Sequence, residues 1–135
     1  MITSYVKLKG LDQRIYLKIS MGQCQGFLKV GVKRLFTRTR GGELIEMTPL
    51  SVLDFYVHSS VQRGGIGKQL FEAMLGYEDA TPSKLAYDRP SHKLKGFLFK
   101  HYNLRNYVKQ THNFIVFDEN FLASTNFNQN HSNQR

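Results

Sequence analysis

Apolar and polar side chains alternate near the start of the chain, which is the pattern of half-buried β-strands. Residues 4–9 and residues 14–19 both alternate with a period of two, and Gly10 and Asp12 stand between them. This arrangement predicts two strands joined by a turn.

A second pair of strands is predicted further along the chain. Residues 26–36 are rich in β-forming side chains, Gly41 and Gly42 mark a turn, and residues 44–58 resume the strand pattern. Pro49 interrupts this last run. Because proline donates no ladder hydrogen bond, it predicts either a bulge or the true start of the strand.

The apolar period changes from two to about 3.6 after residue 58, which indicates a helix. Gly76 is predicted to end this helix. The residues on its apolar face are Ile66, Leu70, Phe71, Met74 and Leu75.

The rest of the chain predicts a short strand, a second helix and a final strand. Residues 84–88 and residues 113–117 have strand character, and Ser91 is placed as the N-cap of the intervening helix. The residues on the apolar face of that helix are Leu94, Leu98 and Tyr102.

This order of elements predicts an α/β or α+β fold in which helices pack against a single sheet. Residues 1–119 are expected to form one domain, since a chain of 135 residues has room for one core. Residues 120–135 are rich in asparagine and predict a polar, disordered tail.

The charge balance points to a polyanionic partner. Nineteen Lys and Arg against ten Asp and Glu give a net charge of +9 and a pI of about 9.8. The candidate partners are nucleic acid, an anionic membrane, an acidic protein or a highly phosphorylated cofactor. A basic, solvated surface without such a partner is the alternative.

Cysteine and histidine do not indicate a metal site. Cys24 is the only cysteine, so no internal disulfide is possible and a reducing, intracellular compartment is expected. The five histidines show no ligand spacing, and no metal is predicted. The sequence has neither a secretion signal nor an apolar run of spanning length, so no membrane partner is expected.

The most informative segment is a glycine-rich passage from a strand into a helix. Gly64, Gly65 and Gly67 allow the backbone to approach a ligand closely. The first N–H groups of the helix, at the positive end of its dipole, suit a phosphate. Arg63 and Lys68 add positive charge to the same place. An ordinary glycine turn is the alternative.

Two of the phosphate-binding patterns that could describe this segment fail. A P-loop requires Ser or Thr after its lysine, but Gln69 follows Lys68. A dinucleotide fingerprint requires G-x-G-x-x-G near the first strand, and neither spacing nor position fits. The remaining pattern, Gln62-x-x-Gly65-x-Gly67, resembles the pyrophosphate loop (Q/R-x-x-G-x-G/A) of the GCN5-related N-acetyltransferase (GNAT) superfamily.

Neighbouring blocks narrow this resemblance to one family. Within residues 26–119 the chain contains PLSVLDFYVH at 49–58, QR at 62–63, DRPS at 88–91 and NF-x-VF at 113–117. In this order the blocks resemble the alpha-tubulin N-acetyltransferase family. The resemblance implies a GNAT-like α/β (α+β) fold, with one twisted, mixed and mainly antiparallel sheet and flanking helices.

The resemblance also implies that acetyl-CoA binds along two segments. The pantetheine arm would pair with the end of the central strand, the pyrophosphate would lie on the glycine-rich segment, and the second helix would flank the other side. The implied contacts are Phe55, Tyr56, Val57, His58, Ser59, Ser60, Val61, Gln62, Arg63, Gly64, Gly65, Ile66, Gly67, Lys68, Ser91, His92, Lys93, Leu94, Lys95, Gly96, Phe97, Leu98, Phe99 and Lys100.

The implied reaction is direct transfer of acetyl to a lysine ε-amine of alpha-tubulin in microtubules. The implied location is the cytoplasm and cytoskeleton, including cilia, and a monomer is expected. Such a transfer needs a neutral amine and a group that accepts or relays its proton. Asp88 matches the active-site aspartate of the DRPS block, and Ser51 stands where the family has a cysteine, so these two are the catalytic candidates.

Departures from the family pattern keep other functions open. Serine is a weaker acid than cysteine, so a proton-relay role at Ser51 would be reduced while a spatial role would survive. The chain is also expected to lack the family's N-terminal region. A catalytically weak or inactive protein that binds acetyl-CoA or microtubules is one alternative. A small basic nucleic-acid-binding module is the other, although no RNP, helix-turn-helix or zinc pattern supports it.

Overall fold

The strands and helices of the chain are seen in a computed structural model, which describes residues 3–7, 12–58 and 64–121. A short 3-10 helix, Pro82–Lys84, precedes the seventh strand. The strands are β1 (Thr3–Lys7), β2 (Gln13–Ser20), β3 (Gln23–Val32), β4 (Leu35–Arg38), β5 (Leu44–Met47), β6 (Leu50–Val57), β7 (Ala86–Asp88) and β8 (Phe114–Val116), and the helices are α1 (Ile66–Glu78) and α2 (His92–Tyr102).

The main sheet has six strands in the order β1-β2-β3-β6-β7-β8. Its neighbouring strands are antiparallel except for β6 and β7, which run parallel. The prediction of a mixed, mainly antiparallel sheet flanked by helices is therefore confirmed. Strands β4 and β5 form a separate antiparallel hairpin, so the described residues contain a second, smaller sheet besides the predicted one.

Two long runs of strand character are each divided in the structure. The run at residues 26–36 ends its pairing in the main sheet at Val32, and Leu35 begins the hairpin. The run at residues 44–58 is divided at Pro49, and β6 begins at Leu50, so the prediction of a strand start there is confirmed.

Gly76 does not end helix α1, contrary to the sequence-based prediction, and the helix continues to Glu78. The Glu78 carboxylate accepts hydrogen bonds from the Arg14 guanidinium and the Tyr16 hydroxyl on β2. These bonds attach the last helical turn to the sheet and outweigh the local preference of glycine. Asp79, in the left-handed conformation (φ 52°), then closes the helix.

The Glu78 cluster also makes stability depend on pH. Burial by itself raises the pKa of Glu78, but the hydrogen bonds from Arg14 and Tyr16 and the Arg14 charge outweigh it and lower the pKa below 4.5. Because the folded-state pKa is below the unfolded-state value, the stabilisation is complete above about pH 4.5 and is lost as the pH falls through the folded-state pKa.

Replacing Glu78 by glutamine is expected to lower the free energy of unfolding by about 1–3 kcal/mol at neutral pH, because Arg14 loses its partly buried carboxylate partner. The variant should also lose less stability on acidification than the unaltered chain. Urea unfolding across this pH range measures both effects. Glu46→Gln is the control, since Glu46 pairs with Arg34 on the exposed hairpin, and it should change stability by less than about 1 kcal/mol. Equal losses in both variants would contradict this prediction.

The two helices pack on the same face of the main sheet. Their contact with β2, β3, β6 and β7 forms the larger hydrophobic core, which contains Tyr16, Leu28, Val30, Val52, Leu70, Phe71, Met74, Leu85, Tyr87, Leu98 and Phe117. A smaller core joins the hairpin to β7 and β8 and contains Leu35, Met47, Ala86, Val116 and Phe121.

Polar contacts fasten the hairpin to the chain around β8. The Gln110 side chain accepts from the Arg38 backbone N–H and donates to the Arg38 carbonyl, both at 2.8 Å. Arg40 pairs with Asp118 at 2.8 Å. The hairpin is therefore attached to the main sheet through side chains rather than through strand pairing.

A bulge in β6 sets which of its side chains face the helices. Val30 lies opposite Val52 and Lys29 lies opposite Asp54, so Leu53 is the extra residue. Beyond the bulge, Phe55 packs against the larger core.

Candidate functional site

A wedge opens between the parallel strands β6 and β7, because their pairing ends early. The two strands pair at Ser51–Ala86 and Val52–Tyr87, but β6 continues to Val57. In the described part of the chain, no strand pairs with this edge of β6 beyond Val52. An extended ligand can use the N–H and C=O groups of such an edge as an added strand does.

A cavity of about 610 Å³ lies at this wedge, within the size range of small-molecule sites. Its lining comes from the end of β6, the start of α1 and one face of α2. The lining residues are Phe55, Tyr56, Val57, Gly65, Ile66, Gly67, Lys68, Ser91, Lys93, Leu94, Phe97, Lys100 and His101.

Aromatic packing holds the two helices beside this cavity. The Phe97 ring of α2 lies edge-on to Phe55, at 5.8 Å between centroids, and to Phe71 of α1, at 5.5 Å. The Tyr102 hydroxyl donates to the Glu72 carboxylate at 2.7 Å and joins α2 to α1. Burial, and then the bond to Glu72, raise the pKa of Tyr102, so this hydroxyl remains a neutral donor. The cavity is therefore preformed.

Helix α1 begins at the cavity with its amide groups available. Gly65 is the N-cap, with φ 81°, a left-handed value that favours glycine. The first bond within the helix runs from the Gln69 N–H to the Gly65 carbonyl at 3.0 Å. The N–H groups of Ile66, Gly67 and Lys68 consequently have no acceptor inside the helix. Together with the helix dipole they suit an anion.

The cavity is positively charged. Lys68, Lys93 and Lys100 line it, whereas no Asp or Glu belongs to its lining. Sequence reasoning missed His101, whose ring lies 4.7 Å from that of Phe97. Its spacing of four residues from Phe97 puts it on the same helix face, and this spacing could have predicted that His101 lines the cavity. The lining suits a ligand that combines an apolar arm with phosphate groups.

The structure brings together many of the acetyl-CoA contacts that the resemblance implies. Those that line the cavity are Phe55, Tyr56, Val57, Gly65, Ile66, Gly67, Lys68, Ser91, Lys93, Leu94, Phe97 and Lys100. Ser59, Ser60, Val61, Gln62 and Arg63 lie outside the described residues, as does the part of the predicted tail (residues 120–135) that begins at residue 122.

The structure places the other implied contacts outside the cavity lining. A helix presents only one side to a cavity, whereas the resemblance implies an unbroken segment. Leu98, for example, is buried in the larger core, and His58 lies at the end of β6 with its N–H donating to Gln25. The residues outside the lining are His58, Gly64, His92, Lys95, Gly96, Leu98 and Phe99.

A second cavity, of about 330 Å³, adjoins the first and contains two carboxylates. Phe55, Ser91 and Leu94 line both cavities, which are therefore contiguous. Asp54 on β6 and Asp88 on β7 belong to the lining of the smaller one. This arrangement puts acidic groups next to a cationic site.

Asp88 is held in place from several sides. It pairs with Phe114 of β8, and its side chain is 24% exposed with Oδ1 3.5 Å from Arg89 Nε. Arg89 has a φ of 42°, uncommon for a residue with a side chain, and its N–H donates to the Asn113 carbonyl at 2.8 Å. The candidate catalytic carboxylate thus lies on a fixed backbone and remains partly open to the cavity.

Ser51 occupies a different environment from Asp88. Its side chain is buried, its hydroxyl donates to the Pro49 carbonyl at 3.1 Å, and it lies opposite Ala86. It belongs to the lining of neither cavity. This geometry favours a spatial role for Ser51 over proton relay.

For the acetyl transfer that the family resemblance implies, replacing Ser51 by alanine is accordingly expected to leave kcat within about threefold of the unaltered chain, since a proton relay is worth far more. Some stability is lost with the Pro49 hydrogen bond, about 1 kcal/mol. Steady-state acetylation and thermal unfolding measure the two effects separately. A fall in kcat beyond about tenfold, with the fold intact, would assign the hydroxyl to the chemistry.

The structure describes residues 3–7, 12–58 and 64–121. In those ranges, no three His, Cys, Asp or Glu side chains lie together where they could hold a metal ion. None of the helices there has the length and apolar character needed to cross a membrane.

Solved structures with the same arrangement of strands and helices define the class of fold. The xEco2 acetyltransferase domain bound to a K105-CoA conjugate gives a TM-score of 0.57 over 77% of this chain and 75% of that one, at 16% sequence identity. The KacTA–DNA complex gives a TM-score of 0.57 over 87% of this chain and 76% of that one, also at 16% identity. The fold is that of the GNAT acetyltransferases.

Sequence comparison then identifies the family. The family model described as GNAT acetyltransferase, Mec-17, matches residues 1–135, and the chain belongs to this family. It is 55% identical over 133 residues to the alpha-tubulin N-acetyltransferase of Tetrahymena thermophila, covering 98% of this chain and 33% of that protein. The Trichoplax adhaerens alpha-tubulin N-acetyltransferase is 50% identical over 127 residues, covering 89% and 53%. The chain therefore spans about a third to a half of the length of these relatives.

Proposed function

We propose that this chain is an acetyl-CoA-dependent acetyltransferase that modifies a lysine ε-amine of alpha-tubulin by direct transfer. The observation that carries the proposal is the cationic cavity at the β6–β7 wedge, which joins the edge of β6 beyond Val52 to the first amides of helix α1. The relatives named alpha-tubulin N-acetyltransferase support the choice of acceptor.

The described residues fit acetyl-CoA in three ways. The edge of β6 at Phe55 and Tyr56 offers backbone groups to the pantetheine amides. The first amides of α1 and the Lys68 ammonium offer hydrogen bonds and charge to the pyrophosphate. Lys93 and Lys100 on α2 offer charge to a further phosphate. Once bound, acetyl-CoA supplies an activated acetyl thioester.

The smaller cavity is where the acceptor lysine would enter. Asp88 and Asp54 attract its ammonium group by charge, and the Asp88 carboxylate accepts the proton that must leave before the amine can attack. Phe55 and Leu94 line both cavities and would limit the access of water between them. The chain thus contributes mainly positioning and proton transfer.

The proposed acceptor also implies where the protein acts. We place it on microtubules in the cytoplasm, including those of cilia, where the positive surface would face an acidic polymer. The net charge of +9 supports this part of the proposal.

The proposal is tested with the full chain in two parallel assays. Calorimetric titration with acetyl-CoA measures binding, and mass spectrometry of polymerised tubulin incubated with both measures acetylation of lysine. Binding together with acetylation would support the proposal. Binding without acetylation would contradict the proposed activity and favour an inactive acetyl-CoA-binding protein. A lack of acetyl-CoA binding would contradict the assignment of the cavity as the coenzyme site.

A further inference from the structure

The face of helix α2 that points away from the cavity carries cations and aromatic rings. Two of its residues, Lys95 and Phe99, lie outside the cavity lining, and the chain after the helix adds two more. Phe99 is 50% exposed and Tyr107 is 36% exposed. We name this group the α2 outer patch, and its members are Lys95, Phe99, Arg105 and Tyr107.

Each cation of the α2 outer patch lies over one of its rings. The Arg105 guanidinium is 5.8 Å from the centroid of Phe99, and the Lys95 ammonium is 5.6 Å from that of Tyr107. Both distances are within the range of cation–π attraction. These contacts limit the freedom of two long side chains, which would otherwise lose entropy when a partner binds.

The backbone beneath the patch is fixed as well. Asn103 ends α2 in the left-handed conformation (φ 55°), and the Leu104 N–H donates to the Leu98 carbonyl at 3.2 Å. Tyr107 forms a β-bridge with Phe117, and the two rings meet edge-on at 6.0 Å. The patch is therefore a preorganised surface rather than a set of independent side chains.

In the part of the chain that the structure describes, the cations of the patch have no acidic partner. Among the described residues, neither Lys95 nor Arg105 forms an ion pair. By contrast, carboxylates lie within 4.0 Å of Arg14, Arg34, Arg40 and Arg89. The charge of the patch is thus available to another molecule.

We propose that the α2 outer patch binds an acidic peptide segment of a protein partner, at a site separate from the acetyl-CoA cavity. Carboxylates of such a segment pair with Lys95 and Arg105, while its apolar atoms contact the exposed ring edges. This inference does not depend on the proposed enzymatic function. If both hold, the patch retains an acidic stretch of the acetylated protein or its assembly while the lysine occupies the smaller cavity.

A nucleic acid suits the patch less well. Single strands bind by stacking bases on aromatic faces, but the cations already cover the faces of Phe99 and Tyr107. Two cations are also few compared with the several phosphate contacts that nucleic-acid affinity requires.

The test compares two double variants that remove the same charge. A fluorescent peptide of eight glutamates is titrated with the full chain at low salt, and its anisotropy gives Kd. Lys95→Gln with Arg105→Gln is expected to raise Kd about tenfold, whereas Lys18→Gln with Lys33→Gln should raise it less than about twofold. Thermal unfolding of all three proteins verifies that each is folded.

Three outcomes would overturn the proposal. The first is no measurable binding of the peptide to the unaltered chain. The second is an equal loss of affinity in both double variants, which would mean a diffuse effect of net charge. The third is that an eight-nucleotide single-stranded RNA binds more tightly than the glutamate peptide and loses this affinity in the Lys95→Gln, Arg105→Gln variant. That result would make the patch a nucleic-acid site.

Discussion

Replacing Asp88 by asparagine is expected to lower the rate of the proposed acetyl transfer to tubulin about 10²–10⁴-fold and to change the Kd of acetyl-CoA less than about twofold. Asparagine keeps the size of the side chain but can neither attract the ammonium by charge nor accept its proton. Asp88 lines the smaller cavity and not the larger one, so the coenzyme contacts remain. Single-turnover acetylation and calorimetry measure the two quantities.

Asp79→Asn is the matched control for this experiment. Asp79 ends α1 in a left-handed conformation (φ 52°), which asparagine also adopts, and it lines neither cavity. The control should transfer acetyl at the unaltered rate. If Asp88→Asn also stays within about threefold of that rate, Asp88 is a structural partner of Arg89 and the proposed proton acceptor is incorrect.

Replacing Gly65 by alanine is expected to weaken acetyl-CoA binding about tenfold or more, because the start of α1 must shift. The φ of 81° at this position costs a residue with a Cβ about 1–2 kcal/mol. Relief of that strain displaces the N–H groups of Ile66, Gly67 and Lys68 from the cavity. Calorimetric titration of the folded variant measures the loss.

Substitutions at two other glycines distinguish the effect of backbone strain on stability from an effect on acetyl-CoA binding. Gly22 has a φ of 75° with open space around it, so Gly22→Ala should lose similar stability while it keeps its acetyl-CoA affinity. Gly76 lies inside α1, also in open space, and Gly76→Ala should gain up to about 1 kcal/mol. If Gly65→Ala binds acetyl-CoA as tightly as Gly22→Ala, the helix start is not the phosphate site.

Much of the fold could be predicted because its signals are local. Alternation indicates the strands, and Pro49 directly precedes β6. The Ser91 hydroxyl accepts from the Leu94 N–H at 3.1 Å, as its predicted N-cap role requires. The glycine-rich passage likewise leads into α1 at Ile66.

The features that could not be predicted depend on contacts between distant parts of the chain. Gly76 remains inside α1 because Glu78 reaches β2, 62 and 64 positions earlier in the sequence. The sequence also cannot show which side of α2 meets the cavity. His101 therefore lines the cavity although the resemblance did not imply it, while Lys95 and Phe99 lie on the opposite face of the helix.

The bulge at Leu53 decides which side chains of β6 meet the helices. Without the bulge, strict alternation along the same sequence from Val52 would turn Asp54 and Tyr56 toward the helices and Phe55 away from them. A deletion of Leu53 would close the bulge and leave Phe55 on the helix side, since Asp54 would then follow Val52 directly. Unbroken pairing of this sequence and a Phe55 ring that faces the helices therefore exclude each other, and the extra residue in β6 is what allows the ring to join the core.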